Sequence, residues 1–167
     1  MQLISGKKKK TNEQLVEEIL LEQYEQYYRL AYSYVHNEAD AEDIVQNGAY
    51  KALRGSKNLQ KPEYAKTWVY RIMLNECFSY TRQPKHISYE TMLDENRLEL
   101  GGAEDVYANI DLQKAMDTLP GEDKAIVILK YFEDKTLEEI AAILDENVNT
   151  VKSRLYRSLK KLKQTIQ

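Results

Sequence analysis

Apolar positions recur along this chain at intervals of three and four, the spacing that gathers side chains on one face of a helix with about 3.6 residues per turn. Leu137, Ile140, Ala141 and Leu144 are the clearest case, and Thr136 with Glu139 supplies the capping box that would start their helix. After a polar turn a second stripe, Val151, Leu155, Leu159 and Leu162, follows in a helix opened by Asn149 or Thr150 as N-cap. Two short helices joined in this way predict a helix-turn-helix. Ahead of it, Ile126, Val127, Ile128, Leu129 and Phe132 mark the helix that would bury it, and Asp105 to Thr118 carries one more, ended by Leu119-Pro120-Gly121.

The first half reads as three helices. A long pattern from Asn12 to His36 carries Leu15, Ile19, Tyr24, Tyr27, Tyr28, Ala31, Tyr34 and Val35 as its inner stripe, a tyrosine-heavy face expected in the core. Asn37 and Glu38 break it, and Asp40 caps a second helix with Ile44, Val45, Ala49, Ala52 and Leu53 inside and Asp43, Gln46, Asn47 and Tyr50 outside. After a loop from Gly55 to Pro62, a helix from Glu63 to Arg82 buries Trp68, Val69, Ile72, Met73, Cys77 and either Phe78 or Tyr80. No strand-like alternation and no repeat period appears, so the fold class is all-α. The expected organisation is a helical domain over residues 1–82, a flexible acidic linker over 83–104, and a helix-turn-helix domain over 105–167. Between Glu90 and Asp105 the linker holds six acidic residues against Arg97 alone, with Pro84 and Gly101-Gly102 nearby.

Charge sharpens this picture. From Asn147 to Gln167 there are six Lys or Arg and no Asp or Glu, a local charge of +6; the whole chain is −3, so the remainder carries −9. Lys152, Arg154, Arg157, Lys160 and Lys161 lie off the apolar stripe of the second helix, forming a face suited to a polyanion. A basic amphipathic helix alone is usually a solvated surface. Preceded by a capped helix and a short turn, it fits the DNA reader whose second helix presents its first residues to base edges. On the Glu63–Arg82 helix, Arg71, Asn75, Ser79 and Arg82 line one polar stripe that mixes hydrogen-bonding groups with positive charge.

Composition excludes more than it adds. Charged residues make up 31%, there are six Gly and three Pro, and no apolar run reaches the roughly 18 residues of a membrane span. The expectation is a soluble, cytoplasmic protein. One cysteine allows no internal disulfide, and His36 and His86 have no partners at ligand or nucleophile spacing. Paired carboxylates such as Glu138-Glu139 are explained by helix starts. Neither an enzyme nor a metal or other cofactor is expected.

Three stretches together resemble the bacterial RNA polymerase sigma factors of the extracytoplasmic-function type, from about Tyr24 to Lys163. Asp40-Ala-Glu-Asp-Ile-Val-Gln46 is similar to that family's polymerase-binding helix in region 2.2, and Trp68-Val-Tyr-Arg-Ile-Met-Leu-Asn75 to its region 2.3 to 2.4 helix. Leu119-Pro120, Tyr131-Phe-Glu-Asp134, Glu138-Glu-Ile-Ala141 and Thr150-Val-Lys-Ser-Arg-Leu155 resemble region 4. The resemblance implies a specificity subunit with no chemistry of its own and no small-molecule substrate. Its implied partners are core RNA polymerase, at the beta-prime clamp and beta flap, promoter DNA, and an anti-sigma factor of a kind often anchored in the membrane. It assigns Asp40, Asp43, Gln46 and Asn47 to polymerase. It assigns Leu59, Trp68, Arg71, Asn75, Ser79 and Arg82 to the −10 element, with Leu59 covering an unstacked base. Asn149, Thr150, Lys152, Ser153, Arg154, Arg157 and Lys161 fall to the −35 element, with Arg154 specifying and Lys161 positioning. The chain departs from the family pattern at Asn47-Gly48, where an acidic and a larger residue are common, at Ser79 for Asp, and at Asp145 and Asn149 for glycines. The rival reading is a stand-alone helix-turn-helix regulator, which would need a dimer and a palindromic site.

Overall fold

The computed structural model describes residues 9–82 and 111–166, and all regular structure among them is helical. The acidic linker therefore lies outside the described residues. In chain order the helices are α1 (Asn12–Glu22), α2 (Tyr24–Val35), α3 (Glu38–Gly55), α4 (Ala65–Thr81), α5 (Gly121–Tyr131), α6 (Leu137–Leu144) and α7 (Val148–Ile166), with residues 111–117 helical ahead of α5.

The single helix expected over Asn12–His36 is two. Gln23 leaves helical geometry at φ −103°, ψ 9°, although its N–H still bonds to the Ile19 carbonyl. The bend separates two stripes, Val16 and Ile19 on α1 and Tyr27, Leu30, Ala31, Tyr34 and Val35 on α2, so that both can reach the core. Tyr24 is consequently exposed, stacked on Tyr28, which in turn stacks on Tyr32. α1 starts from a capping box of Thr11 and Gln14, and the side-chain amide of its first residue, Asn12, donates to the carbonyls of Ser56 and Leu59 at 3.1 and 2.9 Å.

His36 ends α2 in the left-handed region at φ 58°, and the chain then re-enters a helix at once, so Asn37 rather than Asp40 caps α3 by accepting from the Asp40 N–H at 2.8 Å. α3 and α4 pack closely through Gly48, where an ideal Cβ would stand 2.4 Å from Met73 Sδ. The cost of about 1 kcal/mol that a mid-helix glycine carries relative to Ala is thus offset by approach of the two helices. Gly48→Val is expected to lower stability by about 2–3 kcal/mol through overpacking. Because both changes act on one space, Gly48→Val combined with Met73→Ala should lose less than the sum of the two single losses in urea unfolding; strict additivity would place the clash elsewhere.

In the second half α6 begins with the expected capping box of Thr136 and Glu139, and Asp145 ends it in the left-handed region at φ 55°, ψ 49°. The Glu146 N–H then closes onto the Ala141 carbonyl at 2.9 Å, a C-terminal cap built without glycine. α7 starts one residue before the expected N-cap. Asn147 takes that role, its side-chain oxygen accepting from the Asn149 N–H at 2.8 Å. Ala125, Ile126, Val127, Ile128 and Leu129 of α5 are all buried, but Phe132, expected beside them, is exposed together with Tyr131. The buried apolar side chains of both halves form one continuous cluster.

Candidate nucleic-acid interface

α7 turns Val151, Leu155, Ser158 and Leu162 inward against α5 and α6. Asn149, Thr150, Lys152, Ser153, Arg157, Lys160 and Lys163 are exposed, leaving a basic outer surface beginning at the helix N-terminus, where free N–H groups add to the attraction for phosphate. Tyr156 shares this surface at 62% exposure. Reasoning from charge passed it over; the signal was its spacing of four from both Lys152 and Lys160, which puts an aromatic between two lysines.

Two basic residues assigned to the −35 element do not project freely. Arg154 Nη1 donates to Glu122 Oε2 at 2.8 Å, and its Nε lies 3.4 Å from Asp123 Oδ1, so the guanidinium ties α7 to the first turn of α5. These carboxylates hold the arginine charged even more firmly than usual. Lys161 donates to the Thr118 carbonyl at 3.0 Å. Both sit on the flank of α7, where a long side chain reaches its own neighbours sooner than a ligand.

Along α4, Asn75, Ser79 and Arg82 are exposed and Trp68 is half-buried. The ring of Trp68 lies over Gly55, where an ideal Cβ would be 3.3 Å from it. Arg71 does not extend into solvent with the rest of the stripe. Its Nε donates to the Ile143 carbonyl at 3.1 Å and its Nη2 to the Ala142 carbonyl at 2.7 Å, the orphan acceptors at the C-terminus of α6. Leu59 is 8% exposed and part of the core, with its carbonyl held by Asn12; in this arrangement it pins its loop and is not open to cover a base. Apolar residues in short loops are commonly anchors of this kind, which spacing alone does not distinguish.

On α3, Asp43, Gln46, Asn47 and Tyr50 are exposed along one face. Asp40 stands at its edge and is already engaged, accepting from the Asn37 amide at 2.6 Å and bonded to the Tyr80 hydroxyl; desolvation, reinforced by this contact, pushes the phenol up to about 12. Cys77 faces the core, where burial pushes its thiol up to about 12 and leaves it no reactive role near neutral pH. Among the described residues no group of three or more His, Cys, Asp or Glu could hold a metal ion, and no helix is long and apolar enough to cross a membrane.

A capped helix, a left-handed turn and a basic second helix make the carboxy-terminal half a helix-turn-helix of the DNA-binding class. Comparison with known proteins narrows this. The family model for Sigma-70 region 2 matches residues 20–86, and that for Sigma-70, region 4 matches residues 109–162. The chain is 44% identical over 156 residues to the RNA polymerase sigma factor SigV of Bacillus subtilis, covering 92% of each protein. It is 32% identical to the ECF RNA polymerase sigma factor SigE of Mycolicibacterium smegmatis, covering 88% of this chain and 60% of that protein. In fold it resembles the sigma factor RpoE of Bartonella quintana, solved in complex with the anti-sigma factor NepR, with a TM-score of 0.69 at 23% identity over 90% of this chain and 95% of that one. CnrH, solved with the cytosolic domain of CnrY, superposes with a TM-score of 0.67 at 20% identity, covering 93% and 96%. The chain belongs to the extracytoplasmic-function sigma factors, the DNA-binding subunits that direct transcription initiation by RNA polymerase.

Proposed function

We propose that this sigma factor docks on core RNA polymerase through the exposed α3 face of Asp43, Gln46 and Asn47, with Asp40 at its edge, and that the complex reads promoter DNA at two places. Asn75, Ser79 and Arg82 of α4, joined by Arg71 once it leaves α6, take the −10 element. Asn149, Thr150, Lys152, Ser153 and Arg157 of α7 take the −35 element, with Tyr156 among them. The observation that carries this is the presence on one chain of two separate faces of nucleic-acid character, a hydrogen-bonding stripe on α4 and a basic surface on α7. Each is small, and a single helix-turn-helix buries too little surface for tight binding at physiological salt. Tethering both on polymerase makes the second contact effectively intramolecular. The chain contributes binding and orientation rather than a reaction of its own, and acts in the cytoplasm, where polymerase and promoters are. An anti-sigma factor is its expected inhibitor, as the sigma factor RpoE, similar to it in fold, was solved with the anti-sigma factor NepR.

The test is transcription in vitro by core polymerase on a pool of genomic fragments, with start sites mapped by sequencing. Addition of the chain should create a set of starts absent with core alone and sharing two sequence elements upstream. Starts identical to those of core alone would overturn the reading.

A further inference from the structure

Arg154 and Lys161 stand seven residues apart and so share one flank of α7, beside the buried stripe and away from the outer surface of Lys152, Tyr156 and Lys160. Both are tied to the short stretch that leads into α5. Lys161 holds the Thr118 carbonyl at 3.0 Å, and Arg154 forks onto Glu122 at 2.8 Å and Asp123 at 3.4 Å. The two carboxylates differ in setting. Glu122 is half in solvent, whereas Asp123 Oδ1 is covered and makes no hydrogen bond, which leaves the guanidinium as its charge partner among the described residues. Lys124, next in the chain, does not compete for them, because it is buried and ion-paired with Asp117.

Acidic residues in the first turn of a helix usually need no explanation beyond the helix dipole. Their use here is more specific. The apolar stripe of Val151, Leu155 and Leu162 sets how deeply α7 sits, but apolar contacts are non-directional and resist rolling of the helix about its own axis only weakly. Two polar ties about 10 Å apart along the axis, both on one flank, oppose that roll. Contacts to base edges require placement within roughly 0.5 Å, so roll decides which side chains reach them. An ion pair of this exposure adds little to stability, and its value lies in direction. The same carboxylates have a second effect: they cover a cation that would otherwise stand beside the basic surface and add sequence-independent attraction for phosphate.

We propose that Arg154 is a positioning residue, whose bridge to Glu122 and Asp123 fixes the roll of α7 and withholds its own charge from DNA, so that base contacts rather than surplus positive charge decide where α7 binds. The inference rests on the reading of α7 as the −35 face for its consequence; the bridge itself does not depend on that reading.

Hydrogen–deuterium exchange on the full chain reads the bridge without DNA. Arg154→Gln should speed exchange over residues 151–158 by about fivefold, and Arg154→Glu combined with Glu122→Arg, which rebuilds the pair with its charges reversed, should restore most of the protection. Binding of the full chain to an unrelated duplex reads the withheld charge. Glu122→Gln with Asp123→Asn should steepen its salt dependence by about one unit more than the same two changes do in a chain that also carries Arg154→Gln. Selection by the full chain with core polymerase, from duplexes randomised across the upstream element, reads specificity. Arg154→Gln should lower discrimination evenly at every position the element specifies, and the charge-reversed pair should recover it. Loss of preference confined to one or two positions, with exchange over α7 unchanged, would overturn the proposal, because the arginine would then leave its carboxylates to read a base. Exchange unchanged in Arg154→Gln, or equal steepening in both backgrounds, would overturn it as well. A parent chain that selects no sequence while the exchange and salt results hold would sink the two-element reading and leave the bridge standing.

Discussion

Asp43→Arg is expected to abolish co-purification with core RNA polymerase while leaving the helical circular-dichroism signal intact. Asp43 is exposed on α3, one turn before Gln46 and Asn47, and makes no hydrogen bond that the helix needs. α3 retains Glu38 and Asp40 in its first turn, so loss of one further acidic residue costs the helix only tenths of a kcal/mol. At an interface the same change brings a charge of the wrong sign against a surface chosen for an acidic partner, and such juxtaposition costs several kcal/mol, on the order of 100-fold or more in affinity. Retained co-purification with the folded variant would remove α3 from the polymerase surface. Asn47 makes this face less acidic than the family pattern, which leaves Asp43 a larger share of the attraction.

The second large effect is expected from Asn75→Ala. Asn75 is exposed at mid-α4, one turn from both Arg71 and Ser79, and Ala is the better helix former by about 0.5 kcal/mol, so the fold should not weaken. An amide donates and accepts at once and can bond to the Watson–Crick edge of an unstacked base. Holding a flipped base must offset a few kcal/mol of lost stacking and pairing. Removal of the amide should therefore leave polymerase binding and the −35 contact in place, and reduce strand opening at the −10 element by about 100-fold. Base discrimination at one or two −10 positions should go with it. Permanganate footprinting of the promoter bubble measures this directly, and a bubble of undiminished extent with the same base preference would exclude Asn75 from the site.

Much of the secondary structure could be read from the chain because its causes are local. Thr136 and Glu139 satisfy each other's backbone groups wherever the rest of the protein lies, and Asp145 tolerates a left-handed turn by its own stereochemistry. Spacing also located the exposed faces of α3 and α7. Failures occurred where two local solutions were nearly equivalent or where a distant partner decided. Asn37 and Asp40 are both good caps three residues apart, and the choice followed from where His36 turned the backbone. No glycine or proline marks the bend at Gln23; it serves the packing of two stripes whose joint geometry no window of sequence contains. Gly48 looked like a cost because Met73, the residue it makes room for, is on another helix.

The site was legible to a smaller extent, for the same reason. Residue type and spacing picked out Asn75, Ser79, Lys152 and Arg157 as outward-facing, and they are. They could not show that Arg71, Arg154 and Lys161, of the same type on neighbouring faces, are taken up by carbonyls and carboxylates nearby. Lys124 is the sharpest case, a lysine between an acidic helix start and an apolar run that reads as surface but is covered on every side. The run itself held the hint. Five successive buried positions from Ala125 to Leu129 exceed what one face of a helix can present, and so imply that α5 is enclosed by more than its own half.

The two hydrogen bonds from Asn12 to the carbonyls of Ser56 and Leu59 make the start of α1 a remote anchor for the loop ahead of α4. A purification tag or a shortened amino end that stops ahead of Lys9 leaves that anchor whole. Shortening beyond Asn12 would release the Ser56 and Leu59 carbonyls and free the loop without changing a single side chain of α3, α4 or α7.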